Sequence, residues 1–339
     1  MEHAPDETAV NAQDTILEVS HLHVSLPVDG NRLEVLKDLS FKVHAGEAMG
    51  LVGESGSGKS MTLRAIIGLL PRKATVDSGD IIFKNSSLVT EPSRLETIRG
   101  TGISMVFQEP AIALNPVMRV GEQITDGAQR HLGLSKKAAR ELAIELMSEV
   151  GIVEPEKRVD SYPFELSGGM RQRIMIASAI ACKPQLILCD EPTTALDVTV
   201  QQQVLNLFSR LRDEMHISLL YVTHDMAVVA NLCNRVTVMY SGTIMERGNV
   251  QDVFSHPQHP YTAALLNSTP QISGPIRRLE SIPGTAPSLA ERPDGCPFAP
   301  RCRYATERCK VTTPALSEYR HDWDVACFRE TNERSHHGE

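Results

Sequence analysis

Gly53-Glu54-Ser55-Gly56-Ser57-Gly58-Lys59-Ser60 fills every fixed position of the pattern G-x-x-x-x-G-K-[S/T]. Before it lies Glu47-Ala48-Met49-Gly50-Leu51-Val52, an apolar stretch suited to a buried strand. After it, Met61 to Leu70 reads as an apolar helix. Strand, glycine-rich turn and helix in that order is the context that gives the pattern physical meaning. The glycines let the backbone curl until successive N–H groups point inward, which makes a concave cradle for phosphate oxygens. The helix start adds the positive end of its dipole. Ser55, Gly56, Ser57, Gly58, Lys59, Ser60 and Met61 are the expected cradle. Lys59 is expected on the β- and γ-phosphates of a nucleotide, and the Ser60 hydroxyl on Mg2+.

The 339 residues are too many for one average domain, and a hydrophobic fraction of 41% supplies a sizeable core. A net charge of −8 gives no footprint for a polyanion, so nucleic acid is not an expected partner. No run of about 18 apolar residues is present, so no transmembrane helix is expected. The polar, acidic residues 1–14 lack the apolar core of a secretory signal and read as a loose tail, as do residues 331–339. Seven cysteines, an odd number without such a signal, point to a reducing compartment.

Alternating residues from Ile16 to Val24 and from Leu36 to Val43 predict two strands with a turn between them. Further strands are expected at Ile81-Ile82-Phe83 and Gly102 to Phe107. Unbroken apolar runs at Gln185 to Cys189 and Ile217 to Val222 suit parallel strands covered on both faces by helices. Residues of about 117–180 read as mostly helical, with Ser135 capping a helix that Gly151 stops. Strands alternating with helices predict a doubly wound α/β core over residues 15–250. From residue 251 to about 330 the chain turns rich in Pro, His and Cys, which predicts a separate C-terminal extension.

Leu186-Ile187-Leu188-Cys189-Asp190-Glu191 drives two carboxylates to the carboxyl edge of a parallel sheet, where α/β proteins bind ligands. Asp190 is placed to hold Mg2+ and Glu191 to polarise a water attacking the γ-phosphate. Alone, an acidic strand end is better read as solvated; beside a phosphate loop it is not. In Leu166-Ser167-Gly168-Gly169-Met170-Arg171-Gln172-Arg173, Ser167, Gly168 and Gly169 open a helix and leave N–H groups free, a second phosphate-binding surface.

The phosphate loop, the L-S-G-G-M-R-Q-R stretch and the I-L-C-D-E-P strand, in that order, resemble the nucleotide-binding subunits of ABC transporters. The resemblance implies a P-loop ATPase fold with a helical signature subdomain. It makes Gln108 the Q-loop glutamine, which senses Mg2+ or the lytic water, and places Asp197 in the D-loop (Ala195-Leu196-Asp197). It makes His224 the switch histidine that contacts the γ-phosphate. It further implies that Ser167, Gly168 and Gly169 close on the ATP of a second ATPase subunit, identical or homologous. The family stacks adenine on an early aromatic residue. No Tyr, Phe or Trp occurs between Met1 and Ser40, so Leu26 and Val35 offer only apolar contact there.

Ala113 to Ile124, His259-Pro260-Tyr261-Thr262 and Ile282-Pro283-Gly284-Thr285-Ala286-Pro287 narrow the resemblance to ATP-binding subunits of oligopeptide, dipeptide and nickel importers, from about Ile16 to Phe328. These imply an ATP-hydrolysing subunit peripheral to the cytoplasmic face of the membrane. Two membrane-spanning permeases lie above it, fed by an extracytoplasmic solute-binding protein. A soluble ABC ATPase acting apart from transport is the alternative; it often carries two cassettes, coiled coils or basic arms, none of which is seen here.

Cys296, Cys302, Cys309 and Cys327 are separated by five, six and seventeen residues. Four thiols in a Pro-rich segment suit a metal; by spacing alone Zn2+ and a [4Fe–4S] cluster are about equally compatible, with free thiols as a minor third reading. The resembled group carries such a set as an iron–sulfur site. His321 is a spare ligand, and Cys182, Cys189 and Cys233 read as packing residues.

Overall fold

The computed structural model describes residues 15–28, 30–194, 196–268 and 282–329. The two expected tails and Ala195 lie outside the described residues. Among the described residues twelve strands are formed: β1 (Thr15–Val28), β2 (Asn31–His44), β3 (Ala48–Val52), β4 (Thr75–Phe83), β5 (Ser86–Ser87), β6 (Ile103–Val106), β7 (Leu186–Asp190), β8 (Ser218–Thr223), β9 (Arg235–Tyr240), β10 (Thr243–Asn249), β11 (Ser317–Arg320) and β12 (Trp323–Val325).

They make two sheets. The larger runs β11-β12-β10-β9-β3-β8-β7-β6, and its five members from β9 to β6 are parallel. β3, β7 and β8 are buried at every residue, as two-sided covering requires. Their side chains alternate between two cores. Ile187, Cys189, Leu219 and Tyr221 face one, and Leu186, Leu188, Leu220 and Val222 face the other.

The first core is closed by the helices Val120–Leu132, Lys136–Glu149 and Gly168–Ile180, through residues such as Ile124, Met147 and Ile176. Ser135 caps the second, its Oγ accepting from Ala138 N–H, and the chain leaves it through Gly151 at φ +79.

The second core differs from the expectation of helices on both faces. Helix Lys59–Ile66 contributes Leu63 and Ile66, but most of the cover is the smaller antiparallel sheet, β2-β1-β4-β5. The reason is the period of two in β1 and β2. It puts Leu17, Val19, Phe41 and Val43 on one face, which is dried by stacking over the parallel sheet and helix Lys59–Ile66.

Residues beyond 251 add to the same large sheet. β12 pairs antiparallel with β10, with Glu246 opposite Val325, and β11 follows it outward. The knot is Glu246, which has no exposed surface. Its carboxylate accepts from the N–H groups of Gln258 (2.9 Å) and His259 (3.0 Å) and from Trp323 Nε1 (2.9 Å). Burial pushes its pKa up, and these donors, with Thr262, pull it back.

Candidate active site

The phosphate loop joins β3 to helix Lys59–Ile66, and its glycines are demanded by its surroundings. A Cβ on Gly53 would lie 2.2 Å from the Met239 carbonyl oxygen, and Gly58 sits at φ +102. The loop is pinned from the β9–β10 turn, where Gly242 N–H donates to the Ser57 carbonyl at 2.9 Å. Lys59, 5% exposed, donates from Nζ to the carbonyls of Gly53 (2.7 Å) and Glu54 (3.0 Å). Burial pushes its pKa down, opposed by the carboxylates of Glu191, Asp190 and Glu54.

β7 and β8 deliver the acidic and imidazole groups. Ser60 Oγ donates to Asp190 Oδ1 at 2.7 Å. Burial raises the pKa of Asp190, and the Ser60 bond works against it. Glu191 follows at φ +44, a left-handed conformation that costs a non-glycine residue on the order of 1–3 kcal/mol. It is over-determined there: its N–H donates to the Val222 carbonyl (3.0 Å), and Thr194 Oγ1 donates to its Oε2 (3.0 Å). His224 Nδ1 lies 3.1 Å from the same oxygen.

Ser55 to Met61, Gln108, Glu191 and His224 line one cleft of about 950 Å3, so the residues expected to handle a nucleotide are gathered together. Leu26 and Val35 line it too. So do Leu265, Ile282, Leu289 and Arg301, from the C-terminal part of the chain. Sequence reasoning missed these four. No local pattern aims them at the cleft; Ile282 belongs to the stretch Ile282 to Pro287, which carries a family resemblance but no sign of contact with a nucleotide.

Ser167, Gly168, Gly169 and Asp197 do not line that cleft. Ser167 Oγ accepts from Met170 N–H, capping helix Gly168–Ile180. A Cβ on Gly168 would meet nothing within 4 Å, whereas one on Gly169 would lie 2.8 Å from Val200 Cγ1. Asp197 caps the helix Val198–Asp213 by accepting from Val200 N–H at 3.0 Å. Val200 therefore joins Gly169 and Asp197 into one surface.

Cys296, Cys302, Cys309 and Cys327 line a second, apolar cavity of about 270 Å3. Burial pushes Cys296 up to about 11 and raises Cys302 and Cys327, with neighbouring thiols adding to each. Among the described residues, no three His, Cys, Asp or Glu side chains stand close enough to hold a metal ion. His321 is 94% exposed beside Asp322. Cys189 and Cys233 are buried in the main core and Cys182 packs against it; burial raises all three, Cys233 to about 12.

The family model of the ABC transporter matches residues 36–194, and that of the oligopeptide/dipeptide transporter C-terminal region matches residues 245–309. The oligopeptide transport ATP-binding protein OppD of Haemophilus influenzae is 44% identical, over 90% of this chain and 94% of its own. The dipeptide transport ATP-binding protein DppD of Bacillus subtilis is 43% identical, over 95% and 97%. The ATP-binding cassette MJ0796, in a dimeric post-hydrolysis state bound to ADP and phosphate, matches with a TM-score of 0.63 at 26% identity. That match covers 69% of this chain and 98% of MJ0796. CbiO1 of Clostridium perfringens matches with a TM-score of 0.62 at 27% identity, over 72% and 92%. Fold and site define an ATP-binding cassette ATPase. The chain belongs to the family of oligopeptide and dipeptide transport ATP-binding proteins of ABC transporters. No described helix is long and apolar enough to cross a membrane.

Proposed function

We propose that this chain hydrolyses ATP to drive import of peptides, working as one of a pair of ATPase subunits beneath two permeases at the cytoplasmic face of the membrane. A solute-binding protein on the other side would deliver the cargo, which this chain never touches. The observation that carries the reading is the division of the site between two surfaces. Phosphate loop, Gln108, Glu191 and His224 line one cleft, while Ser167, Gly168, Gly169 and Asp197 are not among its lining residues. A turn rich in free N–H groups that its own cleft does not use is suited to a second subunit's triphosphate.

Within the cleft, Lys59 would leave the loop carbonyls for the β- and γ-phosphates. The hydroxyl and carboxylate of Ser60 and Asp190, 2.7 Å apart, fit a hard cation, and with Gln108 would hold Mg2+, which neutralises charge on the phosphate oxygens. Glu191 would accept a proton as water attacks the γ-phosphorus. The bond from that phosphorus to the bridging oxygen breaks, and ADP keeps the electron pair. His224 would hold the Glu191 carboxylate in line. Apolar contact from Leu26 and Val35 would cover the base.

The four cysteines are read as the ligands of a [4Fe–4S] cluster, with Zn2+ as the alternative. Support comes from the one cavity that all four thiols line, although among the described residues no three of them stand close enough to hold a single ion as they are. Broad absorbance near about 400 nm after anaerobic purification, with iron and sulfide in equal amounts, is the expected result. A colourless protein with one zinc per chain overturns it.

The transport reading is tested by reconstituting the chain with its permeases and following phosphate release and peptide uptake together. Uptake that requires ATP and stops with Glu191→Gln is expected. ATP hydrolysis indifferent to permeases and cargo would remove the coupling from the reading.

A further inference from the structure

Glu54, the second residue of the phosphate loop, carries a carboxylate into a cleft read as holding a triphosphate. Like charges at that range disfavour binding unless one of them is cancelled. Arg301 cancels it. Its Nη1 donates to Glu54 Oε2 at 2.5 Å and its Nη2 to Oε1 at 3.0 Å, the two-pronged fit of guanidinium to carboxylate. The Arg301 side chain is 5% exposed.

The remaining donors of Arg301 are committed as well. Nε donates to the Pro283 carbonyl at 2.9 Å, Nη1 also to Tyr240 Oη at 3.2 Å, and Nη2 also to the Ile282 carbonyl at 3.5 Å. With every nitrogen engaged, Arg301 is placed to hold Glu54 rather than to reach a phosphate itself. A second bond reinforces the attachment, since Tyr261 Oη accepts from the Glu54 N–H at 2.9 Å. Arg301 is followed directly by Cys302, one of the four thiols around the second cavity.

We propose that Arg301 is a positioning residue for the phosphate loop, neutralising Glu54 so that a nucleotide triphosphate can approach and tying ATP affinity to the folding of the cysteine-rich segment. The inference rests on the ATP-binding reading of the cleft. The segment then acts on the nucleotide bound by its own chain, through one ion pair and without touching the reacting atoms.

The test is titration of a fluorescent ATP analogue into the full-length protein and its variants, alongside steady-state ATPase kinetics. Arg301→Gln is expected to weaken ATP binding about tenfold and to raise KM more than it lowers kcat. Arg301→Gln with Glu54→Gln is expected to recover most of that loss, because the uncovered charge is gone. A purely structural role would not be rescued by a second substitution. If Arg301→Gln fails to fold, Arg301→Lys carries the test; it keeps the charge, loses the two-pronged fit, and should weaken binding by a smaller factor that Glu54→Gln again relieves. Unchanged affinity in the single variants, or no recovery in the double, overturns the proposal while leaving the ATP reading intact. Failure of the unaltered protein to bind the analogue overturns both.

Discussion

His224 Nδ1 lies 3.1 Å from Glu191 Oε2, the same oxygen to which Thr194 Oγ1 donates at 3.0 Å. Both bonds fall on one side of the carboxylate, and among the described residues no hydrogen bond reaches Oε1. The backbone of Glu191 is left-handed at φ +44, held by its N–H bond to Val222. Backbone, hydroxyl and imidazole together fix one oxygen and leave the other to meet a water.

Glu191→Gln keeps the shape and both hydrogen-bonding positions but cannot take a proton. ATP turnover should fall by about 10^2–10^4-fold while ATP binding persists. Phosphate release measured together with light scattering should show a slow enzyme that accumulates ATP-bound pairs. Turnover unchanged by the substitution would remove Glu191 from the chemistry.

His224→Ala removes the group that orients this carboxylate but not the carboxylate itself. The expected loss in kcat is about tenfold, the equivalent of one hydrogen bond of about 1.4 kcal/mol. The effect should vanish in the Glu191→Gln background. Equal losses in both backgrounds would place His224 in a role independent of Glu191.

Glu47 precedes β3, half-buried, with Oε1 accepting from His44 N–H at 3.0 Å, and burial raises its pKa from 4.5 to about 6. A carboxyl with a raised folded-state pKa binds its proton more tightly in the native state than in the unfolded one. Its stabilising contribution is therefore complete below pH 4.5 and is lost as pH rises through about 6. The loss amounts to about 2 kcal/mol. Glu47→Gln should flatten that part of the profile and make the protein more stable at pH 7, as read from urea midpoints at pH 4.5 and 7. A profile identical to that of the unaltered protein would show that Glu47 keeps its ordinary pKa.

Glu246→Gln leaves an amide where two acceptor oxygens now meet three N–H donors. One donor must lose its partner inside the core, at a cost of about 1–3 kcal/mol. A lowered urea midpoint, with earlier proteolytic cutting beyond residue 251, is the expected outcome. Undiminished stability would mean that the three donors are satisfied elsewhere.

The nucleotide cleft was legible because its parts are local. The loop Gly53–Ser60 needs glycines at fixed steps, and Asp190 and Glu191 end an apolar strand that can only be central. The C-terminal wall was not legible, since Leu265, Ile282, Leu289 and Arg301 reach the cleft by tertiary packing that leaves no mark on their neighbours. β12 was missed for a related reason. Its three residues are too few for a periodic signal, and it is a strand only because β10 has an edge to offer. The smaller sheet was half seen: β1 and β2 were readable from alternation, but nothing local said that their dry face would lie on another sheet.

The closure of β10 by Trp323–Val325 sets an order on biosynthesis. Until residues 323–325 have left the ribosome, the chain before them carries an unclosed β-edge at β10 and a Glu246 short of its indole donor. Edge and buried carboxylate are completed by one and the same short strand. Shortened products that lack Trp323 should therefore self-associate through the open edge more readily than products cut after Val325.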